Sequence, residues 1–301
     1  MSDPFTVIVP VLVTDSNLVS TTATEDDYLA YDAGTNYAMG DRVIVTTGYH
    51  GIYQSLIDAN TGNFPPSNPT KWVLVGPTNA WAAFDESGGT ITTVASPLTF
   101  VVNGDLATSI GLLEVDAATA RIQAYNATEG TYYDQTIELQ DRTVVGDWFD
   151  YFFSEINRQA EVIVTDIPPI STSTYTITLE APTNVSLGTF AMGTATKFGF
   201  IEYNAQAGII DYSRKDVNEF GRATLEKRAY SNRMNVNIHV ANGIVDSVKK
   251  KMASLRATPC LWVAAKGQYE LLTIFGFYRD FTIDIAYPSY SVCTAEIEGL
   301  S

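Results

Sequence analysis

Residues 76–85, GPTNAWAAFD, separate a compact segment before them from a long strand-like region after them. A Gly-Pro pair interrupts regular structure, because proline fixes φ and glycine permits backbone angles that other residues avoid. Directly after the pair, Trp81 and Phe84 fall on one face if the turn is helical, and Asn79 is then the predicted N-cap residue. The stretch therefore predicts a hinge with two aromatic anchors that joins a small module to the main body.

The composition indicates a folded, strand-rich and acidic chain. Its 301 residues are enough for two or three domains, and 46% hydrophobic with 17% charged residues excludes global disorder. An aromatic share of 12% favours sheets over helical bundles. The net charge of −16 is uneven, because residues 1–200 contain 23 acidic and 6 basic residues, whereas residues 201–301 contain 11 and 12. So acidic a chain repels phosphates, and specific nucleic-acid binding is not expected.

The sequence offers little for redox, metal or targeting roles. Cys260 and Cys293 lie in strand-like runs and are interpreted as buried free thiols, with a disulfide as the alternative. Two cysteines alone make no metal site, so neither a metal nor a cofactor is expected. No basic region followed by an apolar core marks a secretory signal, and no apolar run has transmembrane length. We therefore expect a soluble protein that does not insert into membranes.

The N-terminal residues 1–27 are predicted to form an extended arm. Residues 5–13, FTVIVPVLV, make an apolar β-branched run that Pro10 interrupts. Because proline donates no hydrogen bond to a β-ladder, this run is expected at a sheet edge or paired with a neighbouring subunit. The acidic cluster Glu25, Asp26 and Asp27 lacks the spacing of a calcium loop and is interpreted as a solvated turn.

Residues 28–77 are predicted to form a small β module. The strand-like runs DRVIVTT, HGIYQSL and KWVLV are separated by turns rich in glycine, asparagine and proline. A module of about fifty residues has little core, so aromatic rings are expected to supply most of it. Those rings are Tyr31, Tyr37, Tyr53 and Trp72.

The same module resembles the small chitinase-type carbohydrate-binding modules. Their pattern falls here on Tyr31, Tyr37, Gly40-Asp41-Val43, Gly51-Tyr53, Pro65-Pro66 and Trp72. The chain departs from the pattern after the central tyrosine, where Leu56 and Ile57 replace the exposed rings on which a sugar stacks. A decorating or docking domain is therefore the alternative to a glycan-binding one. The candidate glycan contacts are Tyr31, Tyr37, Tyr49, Tyr53 and Trp72.

Residues 78–197 are predicted to form a β-sandwich of the jelly-roll kind. Runs such as TFVV, ARIQAYN and YTITLEA recur at sandwich spacing with turn residues between them. Apolar and polar residues alternate clearly in YTITLE. One interruption, DWFDYFFSEI from Asp147, is dense in rings and is interpreted as a cap on the sandwich, with a subunit contact as the alternative.

Residues 198–301 are predicted to form an α+β domain. Ile244, Val248, Met252 and Leu255 make one stripe of an amphipathic helix that Pro259 ends. Four strands follow: CLWVA, YELLTIFGF, RDFTIDIAY and YSVCTAEIEGL. This order predicts one helix packed on an antiparallel sheet, and the whole chain is expected to be mainly β.

No catalytic or nucleotide-binding motif appears in the sequence. His50 lies in a turn and His239 in an alternating strand, and both are interpreted as structural. The many acidic residues leave room for a carboxylate pair of the glycosidase type, but the sequence singles none out. The chain is therefore expected not to be an enzyme, with a polysaccharide-degrading enzyme as the third hypothesis.

Three stretches resemble structural proteins of tailed-bacteriophage tail tips and baseplates. They are WVLVGPTNAWAAFD at 72–85, GIIDYSRKDVNEFGRATLEKRAYS at 208–231, and the closing unit that ends in TAEIEGL. The resemblance implies a non-enzymatic virion protein, made in the host cytoplasm, that forms a C3 or C6 ring with copies of itself and contacts other tail proteins. The C-terminal domain would build the ring. A tail adhesin that binds host-surface carbohydrate is the alternative.

The basic residues near the second stretch are the predicted contacts between subunits. In a ring, a hairpin or loop here would lie between chains, and its cations would meet the acidic residues of another copy. Such pairing would also account for the uneven charge of the two parts of the chain. The predicted contacts are Arg214, Lys215, Arg222, Lys227, Arg228 and Arg233.

Overall fold

The computed structural model describes residues 4–85, 88–139, 159–217, 219–266, 269–285 and 287–300. Strands dominate these residues, and the one α-helix that they contain lies in the C-terminal region. The prediction of a mainly β chain with a helix in its C-terminal part is confirmed. The ring-rich stretch from Asp147 lies outside the described residues.

The described residues form twenty-one strands and one α-helix along the chain. The first strands are β1 (Pro4–Pro10), β2 (Leu18–Thr21), β3 (Arg42–Val45), β4 (Gly51–Ser55), β5 (Trp72–Pro77), β6 (Thr92–Ala95), β7 (Leu98–Gly104), β8 (Ser109–Leu113), β9 (Thr119–Asn126) and β10 (Gly130–Glu138). The later ones are β11 (Glu161–Val164), β12 (Ser173–Glu180), β13 (Asn184–Leu187), β14 (Thr189–Ile201), β15 (Gln206–Asp211), β16 (Arg214–Val217), β17 (Ala223–Glu226), β18 (Tyr230–Ala241), β19 (Cys260–Val263), β20 (Thr273–Asp284) and β21 (Tyr290–Gly299). The helix α1 spans Val245–Ser254, and single 3-10 turns cover Pro65–Ser67, Ala82–Phe84, Asn242–Ile244 and Glu270–Leu272.

An antiparallel nine-stranded sheet extends through most of the molecule, in the order β11-β8-β14-β1-β19-β20-β21-β18-β15. Strand β1 lies inside this sheet, paired with β14 on one side and, through Thr6, Val7 and Ile8, with β19 on the other. The expectation that the run at residues 5–13 lies at a sheet edge is therefore wrong, because β1 has a partner strand on each side. Pro10 is tolerated because it ends the strand, beyond the three residues that pair with β19.

A five-stranded sheet, β10-β9-β12-β7-β2, packs on the β11-β8-β14 end of the large sheet. Tyr175, Ile177 and Leu179 of β12 are fully buried in the core between the two sheets, as their alternation predicts. Phe190 and Met192 reach the same core from β14. The sandwich therefore shares one of its sheets with the C-terminal region, because β14 extends past residue 197.

The helix α1 packs on the other half of the large sheet. Val248, Met252 and Leu255 are buried against it, as the predicted stripe requires. Ile244 is exposed, because α1 begins one residue later and Val245 takes the inward position. The core beneath the helix includes Cys260 and Cys293, which are buried free thiols as interpreted from the sequence.

Among the residues that the structure describes, three strands follow the helix and not the four predicted. The residues of two predicted strands form the single long strand β20, which has a bulge between Tyr278 and Asp280. A bulge bends a strand and locally interrupts its ladder without ending it. The charged pair Arg279-Asp280 therefore marks the bulge and not a turn.

The small module consists of the three-stranded sheet β3-β4-β5 around an aromatic core. Tyr37, Tyr53 and Trp72 are buried in that core, and Tyr31 packs against it, which confirms the predicted origin of the core. The Trp72 indole N–H donates a hydrogen bond to the Asn63 carbonyl over 2.8 Å. Aromatic packing thus compensates for the small size of the module.

The predicted hinge forms a single 3-10 turn, Ala82–Phe84, with the rings of Trp81 and Phe84 in edge contact at 5.8 Å. Asn79 does not cap this turn, contrary to the prediction. Its side chain binds the backbone N–H and carbonyl of Thr93, over 2.8 and 2.9 Å. The amide therefore fixes the turn against the start of β6.

Candidate functional site

The small module and the sandwich meet at His50. The imidazole stacks on the Trp81 indole with ring centroids 4.0 Å apart, and its two nitrogens lie 2.5 Å from an Asp15 oxygen and 2.8 Å from a Glu25 oxygen. The Trp81 N–H donates to the same Glu25 oxygen over 2.9 Å. We call these four residues the His50 joint. It brings together the segment before the module (Asp15 and Glu25), the module (His50) and the hinge after the module (Trp81).

Backbone contacts reinforce the His50 joint. The N–H of Thr78 donates to the His50 carbonyl over 2.8 Å, and the N–H of Asn79 donates to an Asp27 carboxylate oxygen over 3.0 Å. Glu25 and Asp27 therefore hold the module in place, which corrects their interpretation as a solvated turn. Asp26, by contrast, accepts a hydrogen bond only from nearby Thr24, as far as the described residues show.

An open groove of about 430 Å³ lies beside the His50 joint. Tyr49, Leu74 and Val75 line it from the module, and Trp81 and Phe84 line it from the hinge. Tyr49 and Leu74 are exposed. Rings, apolar side chains and a few polar groups are the usual lining of a small-ligand site.

The five candidate glycan contacts occupy different environments. Tyr37, Tyr53 and Trp72 lie in the core, and Trp72 is only 1% exposed, so these three rings present no face to a sugar. Tyr31 is half-buried, and burial raises the pKa of its hydroxyl and that of Tyr53. Tyr49 is the one of the five that presents an exposed ring.

The sequence analysis missed Phe64 as part of the same surface. Its ring lies 6.0 Å from the Tyr49 ring and 5.8 Å from the Tyr31 ring, and it is partly exposed. The only sequence signal was its position beside Pro65-Pro66, in the loop where the resemblance places a proline. Tyr49 and Phe64 thus form an exposed aromatic pair on the module.

A second candidate surface lies in the last third of the sequence, on the hairpin formed by β16 and β17. These strands pair with each other and with no other described strand, and each of their residues is exposed. The apolar side chains of Leu225 and Val217 are 76% and 58% exposed. Arg214 and Arg228 form ion pairs within the hairpin, with Asp216 and Glu226, over 2.7 and 3.0 Å.

The structure brings five of the six predicted subunit contacts together on this hairpin. Arg214 and Lys215 belong to β16, Arg222 immediately precedes β17, and Lys227 and Arg228 follow it. Arg233 lies instead within β18, opposite Gly208 and Glu298. All six residues are exposed.

An acidic pocket of about 410 Å³ lies at the ends of several strands of the large sheet. Glu114, Glu161 and Glu270 line it together with Thr273 and Tyr230. Burial, and then the Glu270 charge, raise the pKa of Glu161 to about 7, against an opposing effect of the Thr273 hydroxyl. Sequence reasoning missed this pocket, because its glutamates are far apart in the chain and follow no motif.

The described part of the chain contains neither a metal-binding cluster nor a membrane-spanning helix. No three histidine, cysteine, aspartate or glutamate side chains there are arranged to hold a metal ion together. The helix that the structure describes is also too short and too polar to cross a bilayer.

No known protein family and no curated protein matches the sequence. Two similar solved structures are forms of chitosan-binding module 1 from a chitosanase/glucanase of Paenibacillus sp. IK-5, one of them a selenomethionine-labelled mutant. Each is 18% identical, with the alignment covering 38% of this chain and 83% of the module, at TM-scores of 0.26 and 0.25.

Proposed function

We propose that this protein is a non-catalytic structural subunit that assembles with copies of itself, in the manner of phage tail-tip and baseplate proteins. The β16–β17 hairpin is the observation that supports this proposal. A two-stranded hairpin outside the main sheets is marginally stable in water by itself. Since its apolar side chains are exposed on both strands, a neighbouring chain would bury them.

The edge strand of the large sheet directly precedes the hairpin in the chain. Strand β15 ends the nine-stranded order, with β18 as its only partner strand among the described residues. Five of its six residues are exposed, Ile209 among them. An exposed edge strand presents unpaired backbone groups that can extend a sheet into another chain.

Charge favours a second copy of this chain as the partner. The hairpin carries five basic residues against Asp216, Glu219 and Glu226, whereas residues 1–200 contain 23 acidic and 6 basic residues. Complementary charge steers association and fixes its orientation. In a ring, the hairpin of one copy would contact the acidic region of the next, which would bury the apolar side chains of the hairpin and complement its net positive charge.

The test is the mass of the purified protein by light scattering, at low and moderate salt. We expect a discrete oligomer that weakens as salt rises, because salt screens exposed charge pairs. Replacing Val217 and Leu225 together by serine should give a monomer. Leu29→Ser is the matched control, because Leu29 is 87% exposed but lies in the small module, far from the hairpin in the sequence.

A wild-type protein that stays monomeric at all concentrations would contradict self-assembly, as would an unchanged oligomer in the hairpin variant. The virion location has its own test. The protein should be found by mass spectrometry in purified particles with intact tails, and its absence from them would contradict a tail role.

Glycan binding is the second candidate function, and the exposed pair Tyr49 and Phe64 beside the groove favours it. A sugar ring stacks on an aromatic face, and losing one such contact costs about 1 kcal/mol, or several-fold in affinity. We expect Tyr49→Ala to weaken retention on immobilised host-surface polysaccharide, whereas Tyr125→Ala, an exposed ring on the sandwich, should not. Equal retention of both variants would exclude the groove, and no retention of wild type would exclude the function.

A further inference from the structure

The acidic pocket contains buried polar atoms without partners. Glu161 is 4% exposed and Thr273 is 8% exposed, and both side chains line the pocket. The Thr273 hydroxyl lies close enough to lower the pKa of Glu161. Even so, neither Glu161 Oε1 nor Thr273 Oγ1 has a hydrogen-bond partner of accepted geometry. Buried polar atoms without partners destabilise a fold, so these two point to a ligand that donates hydrogen bonds.

The charge of the pocket specifies the ligand further. Three carboxyl groups, those of Glu114, Glu161 and Glu270, face the same space, and no lysine, arginine or histidine lies among the described lining residues. Glu270 accepts a hydrogen bond from the Ala160 N–H over 3.3 Å, which leaves it further lone pairs. A neutral polyhydroxylated ligand would satisfy the hydrogen bonds but leave the negative charge without compensation.

A bound cation would also change the protonation state of the Glu161 carboxyl group. Its pKa of about 7 follows mainly from burial, which disfavours the charged form. A positive group within a few ångströms reverses that balance and favours the carboxylate. Tyr230, a lining residue that is 57% exposed, adds an aromatic ring of the kind that attracts cations.

We propose that this pocket binds the protonated amino group of a small ligand. An ammonium group has three N–H donors, enough for Glu161 Oε1, Thr273 Oγ1 and a Glu270 oxygen, and its charge matches the carboxylates. The volume of about 410 Å³ holds a group of the size of one amino sugar or one amine-bearing side chain. The site is independent of the proposed assembly, since it requires nothing of the β16–β17 hairpin.

The experiment is an NMR titration of the full chain with three probes: glucosamine, Nα-acetyl-lysine amide, and glucose as the uncharged counterpart of glucosamine. We expect at least one amine to bind and glucose not to bind. Glu161→Gln, which keeps the shape and removes the ionisable group, should weaken amine binding at least tenfold. Thr273→Val should weaken it as well, and Glu129→Gln, at an exposed turn, should leave it unchanged.

The two amines distinguish the sources of the ammonium group. Tighter binding of glucosamine would indicate an amino sugar, and tighter binding of the lysine derivative would indicate a polypeptide side chain. Three results would overturn the proposal: no binding of either amine, equal binding of glucose and glucosamine, or unchanged amine binding in a Glu161→Gln protein that melts as wild type does.

Discussion

Glu161 shows how one residue acquires its chemistry from its surroundings. In the sequence it is one of 34 acidic residues and belongs to no motif. In the structure it begins β11, opposite Leu113 of β8, and is almost fully removed from water. Desolvation disfavours its charged form, and the nearby Glu270 charge adds to the effect.

The raised pKa of Glu161 predicts a specific pH dependence of stability. Between about pH 4.5 and 7 the folded chain keeps a proton that the unfolded chain has lost, so stability falls as pH rises through that window. Glu161→Gln removes this dependence. As the pH rises from 5 to 8, the unfolding free energy of the variant minus that of wild type should increase by roughly 1 to 3 kcal/mol. Urea denaturation at each pH measures this difference.

Glu129→Gln is the control, because Glu129 lies on an exposed turn outside the acidic pocket. If the Glu161→Gln curve runs parallel to wild type from pH 5 to pH 8, Glu161 is ionised in the folded protein and its assignment as a neutral carboxyl is wrong.

The individual elements were predictable where one pattern repeats over many residues. The alternation in β12 appears in the structure on the expected faces. The stripe formed by Val248 and Met252 of α1 and by Leu255 directly after it is buried, as predicted. The predictions were wrong where the position of a strand depends on the strands that pair with it. Strand β1 is interior despite Pro10, because β14 and β19, which are far away in the sequence, pair with it. Strand β20 continues through a charged bulge, because β21 pairs with it on both sides of the bulge.

At the scale of the whole molecule, the His50 joint decides how the small module is attached. We expect His50→Asn to loosen the module, because it removes the ring stacked on Trp81 and a contact with Asp15. Asparagine tolerates the positive φ of 48° at this position, so backbone strain does not confuse the result. Losing about 1 to 2 kcal/mol should speed protease cleavage near residues 76–80 roughly tenfold.

The second histidine provides the matched control for this prediction. His239 contacts Glu202 and stacks on Tyr290, far from the module in sequence. His239→Asn should leave cleavage near residues 76–80 unchanged. Equal cleavage rates in wild type and His50→Asn would show that the backbone contacts of Thr78 and Asn79 hold the module without the ring.

The large sheet joins regions that the sequence presents as separate. Strand β14 crosses the predicted boundary at residue 197, and β1 lies between β14 and β19. The predicted domain boundaries stay predictions, and the sheet shows that residues from both sides of the last boundary share one ladder. The C-terminal unit and the sandwich are thus connected through backbone hydrogen bonds.

By itself, the sequence determined the strand-rich fold, the aromatic core of the module, the amphipathic helix and the buried cysteines. Each follows from local periodicity or composition, which acts over a few residues. Only the tertiary structure decided that β1 is interior, that His50 joins two units, that Trp72 is core and Tyr49 surface, and that three distant glutamates share a pocket. These features depend on contacts between residues many positions apart, and a single sequence does not specify such contacts through local pattern.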